Sequence, residues 1–378
     1  MNNRRVLLAT LFTGYNFGSS LQAYASKMFL LKMGLDCEIV GIKGFVKGRD
    51  IRPIKLLTIL FRLLIYRKNC NGLSPYINQY SKVFIDGTRN LFDKFTEDYI
   101  VPQYYDWGTL KKIAQFSLGC FAGSDQIWSS TTLYVDPLYY LRFCPMHKRV
   151  AFAPSFGHDF IVPFNKKKMS KWISDFKFLS VRENSGVKLI RELTGKDAIQ
   201  LIDPTLMISK SEWIRFFNIK NSKERYILAY FLDPPSNIAR EVIYYLSNKL
   251  ECKVIAIPYI FEDKGYCDTF ESAGPIEFIK LIMNAQMVCT DSFHGTAFSI
   301  NFHTPFYVFE RKYTGNTQNT RIKSILSCVK MEDRLEPSLK DITFDKIDFS
   351  YSDEILDSER LKAKRYVMTI LKSLEIIK

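Results

Sequence analysis

One of only four histidines in the chain lies in the segment Thr290 to Thr296 (TDSFHGT), where an apolar, strand-like run meets a helix-like run. In an α/β domain such a corner lies at the carboxyl end of the sheet, where ligands bind. The N–H groups at a helix start attract anions, and histidine titrates near neutral pH. His294 is therefore a candidate for proton transfer beside a phosphate or carboxylate. The alternative is a histidine that only caps or packs the helix.

A second candidate segment, Gly14 to Ala25 (GYNFGSSLQAYA), has small residues at the start of a predicted helix. Small residues let a phosphate or a sugar approach the backbone closely. Its candidate substrate-binding residues are Asn16, Gly18, Ser19 and Gln22. The segment contains neither a GxGxxG motif nor a P-loop, so it does not predict a nucleotide. Asn16 alternatively shapes its own turn.

A third segment, Gly123 to Trp128 (GSDQIW), follows a predicted strand and suits an acceptor sugar. Its candidate binding residues are Ser124, Asp125 and Gln126. Asp125 is also a candidate base for a sugar hydroxyl. Trp128 is more typical of a core residue.

The fourth segment, Ser180 to Gly186 (SVRENSG), is followed by Asp203-Pro204-Thr205 and offers Arg182 and Asn184. A guanidinium binds a carboxylate or a phosphate through two parallel hydrogen bonds. The alternative for Arg182 is a surface ion pair with Glu183.

Together, in this order along most of the chain, the four segments resemble the polysaccharide pyruvyl transferase family. The resemblance implies transfer of the pyruvyl group of phosphoenolpyruvate to two hydroxyls of a sugar in a polysaccharide or its precursor, forming a pyruvate ketal and releasing phosphate. It also implies an α/β fold of two Rossmann-like domains resembling the GT-B glycosyltransferase arrangement. Phosphoenolpyruvate is then the donor substrate, and neither a cofactor nor a metal is expected. A lipid-linked acceptor and a free polymer both remain open.

The resemblance also implies residue roles. Arg182 and a second cation hold phosphoenolpyruvate, His294 moves the proton, and the loops of Asn16 and Asp125 orient the sugar. Three neighbours of His294 are further substrate-binding candidates: Ser292, Gly295 and Thr296.

The family often has Arg-Leu-His where this chain has Ser292-Phe293-His294. Another cation must therefore replace that arginine. The candidates are Arg321, which with Asn319 opens a predicted helix, and the pair Arg311 and Lys312. A solvent-facing Arg321 is the alternative.

Two other functions are alternatives. The two-domain architecture also suits a glycosyltransferase that uses a nucleotide sugar. A non-catalytic family member that binds a glycan or an anion is the second alternative, because Ser292 stands where an arginine is often found.

Length and composition limit the function classes. The 378 residues exceed a usual single core, and a net charge of +14 favours acidic partners. The basic residues are dispersed and no nucleic-acid module appears, so no nucleic-acid partner is predicted. The eight cysteines are widely spaced, and no two of them lie at the spacing that is typical of a zinc site. We interpret the chain as cytoplasmic, and its apolar start, Val6 to Phe12, as a strand rather than a secretory signal.

The order of predicted elements indicates two βα-repeating halves. Residues 1–212 form an N-terminal domain with the acceptor side and the Arg182 corner, residues 213–350 a domain with the His294 corner, and residues 351–378 a C-terminal helix that crosses back to the first domain. Capping signals predict a first helix over Leu21 to Met33, starting after Ser19 or Ser20.

The stretch Ile54 to Lys68 is basic and amphipathic. One interpretation is contact with an anionic membrane, at the inner face of the cell membrane where lipid-carried acceptors are built. The other is a helix packed over the first domain.

Overall fold

The computed structural model describes residues 4–46, 49–50, 52–65, 87–258, 265–311, 319–344 and 347–376. The chain divides into two compact units. The first consists of Met1–Ile77, Thr96–Met207 and Glu359–Lys378, and the second of Asn78–Phe95 and Ile208–Ser358.

Each unit is built on a sheet of five parallel strands. The first sheet has the spatial order β5 (Gln103–Tyr105), β2 (Asp36–Ile42), β1 (Arg5–Ala9), β6 (Gly119–Ala122) and β7 (Arg149–Ala151). The second has the order β12 (Thr269–Phe270), β11 (Lys253–Ala256), β10 (Tyr226–Tyr230), β13 (Met287–Thr290) and β14 (Phe306–Val308). Two such α/β units confirm the predicted fold class.

Two short strand pairs accompany the first sheet. They are the antiparallel pair β3 (Phe45–Val46) with β4 (Arg49–Asp50), and the parallel pair β8 (Ser180–Val181) with β9 (Ile199–Gln200).

Helices connect the strands. Those of the first unit are α1 (Phe17–Lys32), α2 (Pro53–Ile65), α4 (Trp107–Phe116), α5 (Pro163–Ser174), α6 (Asn184–Thr194) and α7 (Pro204–Met207), with a π-helical turn at Thr96–Ile100. Those of the second unit are α3 (Thr88–Phe95), α8 (Lys210–Phe217), α9 (Asn237–Leu250), α10 (Pro275–Asn284), α11 (Phe293–Phe302) and α12 (Asn319–Cys328). Within the described ranges, no helix is both long and apolar enough to cross a bilayer.

Both sheets have the same topological switch. The chain builds outward from β1 in one direction, and then continues on the other side of β1 with β6, where Leu8 pairs with Phe121. The second sheet repeats this order around β10 and β13, where Leu228 pairs with Val288. At such a switch the loops after the two central strands diverge and leave a crevice at the carboxyl ends. The candidate residues are expected at these two places.

The cores are apolar and aromatic. The four residues from Val6 to Ala9 have no exposed surface, as expected for a parallel strand covered on both faces. Trp128 is fully buried and stacks on Tyr140 with ring centroids 5.7 Å apart, which confirms its predicted place in a core.

The last helix, α13 (Ser350–Ile376), returns to the first unit, as predicted. The hydroxyl of Tyr366 donates a hydrogen bond to the carbonyl of Ala151 (2.8 Å). Arg360 Nε donates to the carbonyl of Leu206 (2.9 Å). These contacts fix the helix on the edge of the first sheet that carries β7.

The predicted start of α1 at Ser19 or Ser20 is wrong. The helix begins at Phe17, and Asn16 is its N-cap. Ser19 is not available for capping, because its hydroxyl contacts a side chain of another loop. Ser20 is buried within the first turn.

Candidate functional site

The loop after β1 forms one side of the first corner. Asn16 Oδ1 accepts a hydrogen bond from the backbone N–H of Ser19 (3.0 Å) and so caps α1. This contact agrees with the alternative for Asn16, that its side chain shapes its own turn. Gly18 lies buried in the first helical turn.

Asp125, in the loop after β6, joins the two loops of this corner. Ser19 Oγ donates to Asp125 Oδ2 (2.5 Å), and the backbone N–H of Gln126 donates to Asp125 Oδ1 (2.8 Å). Asp125 has a φ of 71°, a left-handed conformation that few residues other than glycine adopt. The structure thus brings together Ser19 and Asp125, which lie 106 positions apart in the sequence.

Gly123 allows the two loops to approach this closely. A Cβ atom at this position would lie 2.6 Å from the Cβ of Thr10 and 3.0 Å from Leu8 Cδ1. Thr10 Oγ1 donates to the carbonyl of Ser124 (3.1 Å) across the same gap. Any larger residue at Gly123 would push β1 and the β6 loop apart.

Gln22 braces the corner from inside. Its side chain is fully buried, and its Nε2 donates to the carbonyls of Leu11 (2.6 Å) and Ser19 (3.0 Å). Gln22 therefore holds the loop after β1 in place, and its predicted contact with a substrate has no support in this position.

Arg182 is buried among three carboxylates. Its Nη1 donates to Asp203 Oδ2, and its Nε lies 3.7 Å from Glu183 Oε1. Burial lowers the pKa of Arg182, but the charges of Asp203, Glu183 and Asp125 together raise that pKa above its ordinary value. The ion pair with Glu183 exists, as the alternative expected, but it is not at the surface: the Arg182 side chain is only 3% exposed.

This cluster contains more negative than positive charge. Asp125, Glu183 and Asp203 supply three carboxylates to one guanidinium. A buried site with excess carboxylates attracts hydrogen-bond donors and cations, and it repels anions. The first corner is therefore better suited to sugar hydroxyls than to a phosphate.

The remaining candidates of the first unit have different surroundings. Ser124 is fully buried, and its hydroxyl donates to Asp203 Oδ2 (3.4 Å). The Gln126 side chain packs against Gly157, where an added Cβ would lie 2.9 Å from Gln126 Cδ. Asn184 is exposed at the first residue of α6.

The second corner lies where β13 passes into α11. Ser292 is the N-cap, and its Oγ accepts from the backbone N–H of Gly295 (3.3 Å). Thr296 Oγ1 donates to the Ser292 carbonyl (3.0 Å). Ser292 and Thr296 therefore build the helix start that holds His294.

Gly295 is required for close packing at this corner. A Cβ atom there would lie 2.6 Å from Thr290 Oγ1. That hydroxyl is already engaged, because it donates to the carbonyl of Tyr230 (2.6 Å) and accepts from the N–H of Ser292 (3.0 Å). The second corner thus also pairs a glycine with a threonine, but here both residues belong to the turn from β13 into α11, so the contact sets the helix start against the end of its own strand.

His294 lies in the first turn of α11 and is nearly buried, with 9% of its surface exposed. Its ring meets the ring of Phe293 edge to face, with centroids 5.1 Å apart. The guanidinium of Arg321 lies over the ring of Phe293, 5.7 Å from the ring centroid. Arg321 is itself buried, so the solvent-facing alternative is wrong.

Two aspartates that the sequence did not single out complete this corner. Asp291 accepts hydrogen bonds from the N–H groups of Leu232 (2.7 Å) and Asp233 (2.9 Å), and so it ties the loop after β10 to the end of β13. Burial raises the pKa of Asp291 to about 7, and nearby Arg311 opposes this shift only in part. Asp291 directly follows β13, and Asp233 lies three positions after the end of β10, so their places after two central strands were the available sequence signal.

Arg311 lies between these two aspartates. Its Nη2 donates to Asp233 Oδ1 (3.0 Å), and its Nε is 3.9 Å from Asp291 Oδ2. Asn319 holds the backbone of Arg311, since its Oδ1 accepts from the Arg311 N–H (3.2 Å). The other predicted cation, Lys312, lies outside the described residues.

The two corners thus differ in charge. The second combines a helix N-terminus, an imidazole and two arginines with two aspartates, one of which has a pKa near neutrality. A helix N-terminus with arginines nearby suits a phosphate or a carboxylate. Within the described part of the chain, no three His, Cys, Asp or Glu side chains are grouped as metal ligands would be.

Comparison with known proteins identifies a family. A model of the family described as polysaccharide pyruvyl transferase matches residues 16–313. This range is more than half of the chain and includes Asn16, Asp125, Arg182 and His294. No curated protein matches the chain.

Several solved structures share weak similarity over nearly the whole chain. They include S. aureus MnaA with UDP (11% identity, 96% of this chain and 90% of that chain, TM-score 0.45), a UDP-N-acetylglucosamine 2-epimerase from Rickettsia bellii (10%, 97% and 97%, 0.43) and the glycosyltransferase SnogD from Streptomyces nogalater (10%, 99% and 98%, 0.40). At these identities and TM-scores the similarity does not indicate an activity.

Proposed function

Because the chain belongs to the polysaccharide pyruvyl transferase family, we propose that it transfers the pyruvyl group of phosphoenolpyruvate to two hydroxyls of one sugar. Two C–O bonds to C2 of the donor form, and the bond from C2 to the phosphate oxygen breaks. One hydroxyl proton, or its equivalent, ends on the donor methylene carbon, which becomes a methyl group. The other leaves with the phosphate.

The observation that carries this proposal is the charge at the second corner. His294 is held at a helix start, and Arg321 lies against the neighbouring Phe293. We assign proton delivery to His294, because an imidazole beside a bound phosphate is readily protonated near neutral pH. Arg321 and Arg311 are our candidates for the cation that replaces the arginine missing at Ser292.

We assign the acceptor sugar to the first corner. Asp125 is our candidate base for a sugar hydroxyl, and Asn16, Ser19 and Gln126 are candidate hydrogen-bonding partners. The excess of carboxylates there favours hydroxyl donors over an anionic donor substrate. The loop after β1 has neither a GxGxxG motif nor a P-loop, and a sugar acceptor needs neither.

We assign Arg182 to positioning rather than to direct contact with phosphoenolpyruvate. Its guanidinium is already bound to Asp203 and lies close to Glu183. An anionic donor approaching it would also meet the repulsion of the carboxylates around it. The guanidinium of Arg182 instead holds Asp203, which also accepts a hydrogen bond from Ser124 in the loop of Asp125.

The test is phosphate release coupled to a glycan adduct of pyruvate mass, with both substrates present. We expect His294→Asn to lower turnover by about a hundredfold or more, the usual loss when a general acid is removed. The matched control is His303→Asn, at the other end of the same helix. His303 has a left-handed backbone that asparagine tolerates, and its ring contacts Asp353 (2.8 Å).

Full turnover by His294→Asn would refute the assigned role. Thermal stabilisation by nucleotide sugars and not by phosphoenolpyruvate would favour a glycosyltransferase instead. Tight binding of phosphoenolpyruvate with no turnover on any glycan would favour a non-catalytic binding protein.

A further inference from the structure

Helix α2 presents an apolar face that the described part of the protein leaves uncovered. None of its thirteen residues, Pro53–Ile65, is buried. Five large apolar residues lie within about 100° of arc on a helix of 3.6 residues per turn. They are Ile54, Leu57, Phe61, Leu64 and Ile65, here called the α2 apolar face, and they are between 56% and 73% exposed.

Polar contacts on its other side attach α2 to the first unit. Arg62 Nη1 donates to Asn165 Oδ1 (2.7 Å) and to the carbonyl of Leu133 (3.1 Å). Arg52, directly before the helix, is paired with Asp136. These contacts orient the helix with its apolar residues outward, so the packing interpretation of this stretch does not account for its exposure.

The surroundings of the α2 apolar face are basic. Arg62 brings the start of α5 beside α2, since it contacts Asn165 and lies over the ring of Phe164 (5.4 Å). Neither helix contains an aspartate or a glutamate, and together they contain six lysines and arginines. Lys166 and Lys167, which directly follow Asn165, are exposed.

We propose that the α2 apolar face docks on the surface of an anionic lipid bilayer. An amphipathic helix with large apolar residues on one side and basic residues beside it lies in the plane of such a surface, with its apolar side among the acyl chains. The absence of acidic residues from both helices favours an anionic lipid surface over a protein partner or a second copy of this chain, which would itself carry a net charge of +14.

This docking does not rest on the reaction proposed above, because it needs neither the donor nor the acceptor. It would bring the enzyme to membrane-borne sugars. A failure of one proposal leaves the other intact, since vesicle binding and phosphate release are measured separately.

The experiment is co-sedimentation of the full chain with vesicles of phosphatidylcholine alone or mixed with phosphatidylglycerol. We expect binding only to the anionic vesicles, weakened by salt. Phe61→Ser should reduce the partition coefficient about tenfold or more, the effect of burying one large apolar side chain. The matched control is Phe116→Ser, a comparably exposed phenylalanine at the end of α4, which should bind as the unaltered chain does.

Charge is tested separately with Lys166→Gln/Lys167→Gln. Binding to the anionic vesicles should fall about fivefold per lysine. The control pair Lys249→Gln/Lys280→Gln, exposed lysines of the second unit, should have little effect. A further variant, Leu57→Trp, reports insertion directly through a blue shift of its fluorescence on addition of anionic vesicles.

Three results would overturn the proposal. They are no binding to either kind of vesicle, equal binding by Phe61→Ser and Phe116→Ser, and dissociation of an oligomer by Phe61→Ser in sedimentation equilibrium. The last result would identify a second copy of the chain as the occupant of the α2 apolar face.

Discussion

Replacing Arg182 with leucine is expected to destabilise the first unit. The change leaves Asp203, which is fully buried, and Glu183 without their cation. Removing one partner of a buried ion pair costs about 3–5 kcal/mol. Asp203 keeps other hydrogen bonds, from the N–H (2.9 Å) and the hydroxyl (2.7 Å) of Thr205 and from the hydroxyl of Ser124 (3.4 Å). We therefore expect a loss of about 3 kcal/mol, at the lower end of that range.

Two variants separate burial from charge. Arg191→Leu is the matched control, because Arg191 forms an ion pair with Asp197 but its side chain is 70% exposed. Such a surface pair contributes about 1 kcal/mol or less. The double variant Arg182→Leu/Asp203→Asn removes one of the uncompensated charges, so it should be more stable than Arg182→Leu alone.

The assay is urea unfolding followed by hydrogen exchange of amides in β1 and β6, which report the first unit. A midpoint for Arg182→Leu equal to that of Arg191→Leu, together with lost phosphate release, would refute the reasoning. It would mean that the guanidinium acts on the donor and that its carboxylate contacts contribute little to stability.

Two further predictions concern the second corner. The folded protein retains the Asp291 proton up to about pH 7, whereas the unfolded chain releases it near 3.8. As the pH rises between these values, the free energy of unfolding of the wild type should fall by about 1.4 kcal/mol per pH unit relative to that of Asp291→Asn. Urea titrations in which the difference between the two proteins does not change with pH would contradict this. Gly295→Ala should lower the free energy of unfolding by about 1–3 kcal/mol, because the added methyl group meets Thr290 Oγ1. In a double-mutant cycle with Thr290→Ala the two effects should be coupled, and strictly additive effects would contradict this explanation.

Local signals predicted several elements well. The sequence predicts helices over Asn237 to Leu250 and Pro275 to Asn284 and a strand over Met287 to Thr290. These bounds agree with α9, α10 and β13. Helix α9 is capped by Ser236, and α10 begins with Pro275. Such signals depend on residues within one or two turns, which a single sequence contains.

Non-local contacts explain the errors. The start of α1 was misplaced because the Ser19 hydroxyl, a good capping group, is engaged by Asp125 from the loop after β6. The burial of Arg321 depends on Phe293, which lies 28 positions earlier and carries no charge. A cation that packs on an aromatic ring gives no distinctive pattern in the sequence.

The two corners are built in similar ways but differ in charge. Each follows a central parallel strand, and each contains a glycine packed on a threonine. Gly123 on Thr10 joins two loops, and Gly295 on Thr290 joins a strand to the helix that follows it. In the first, three carboxylates surround one guanidinium, so an incoming phosphate meets repulsion. In the second, burial raises the pKa of Asp291 to about 7, so near neutral pH Asp233 contributes more than Asp291 to balancing the charge of Arg311. We propose that the first corner binds the sugar hydroxyls and that the second binds the anionic donor, since transfer from an anionic donor to a sugar requires both kinds of site.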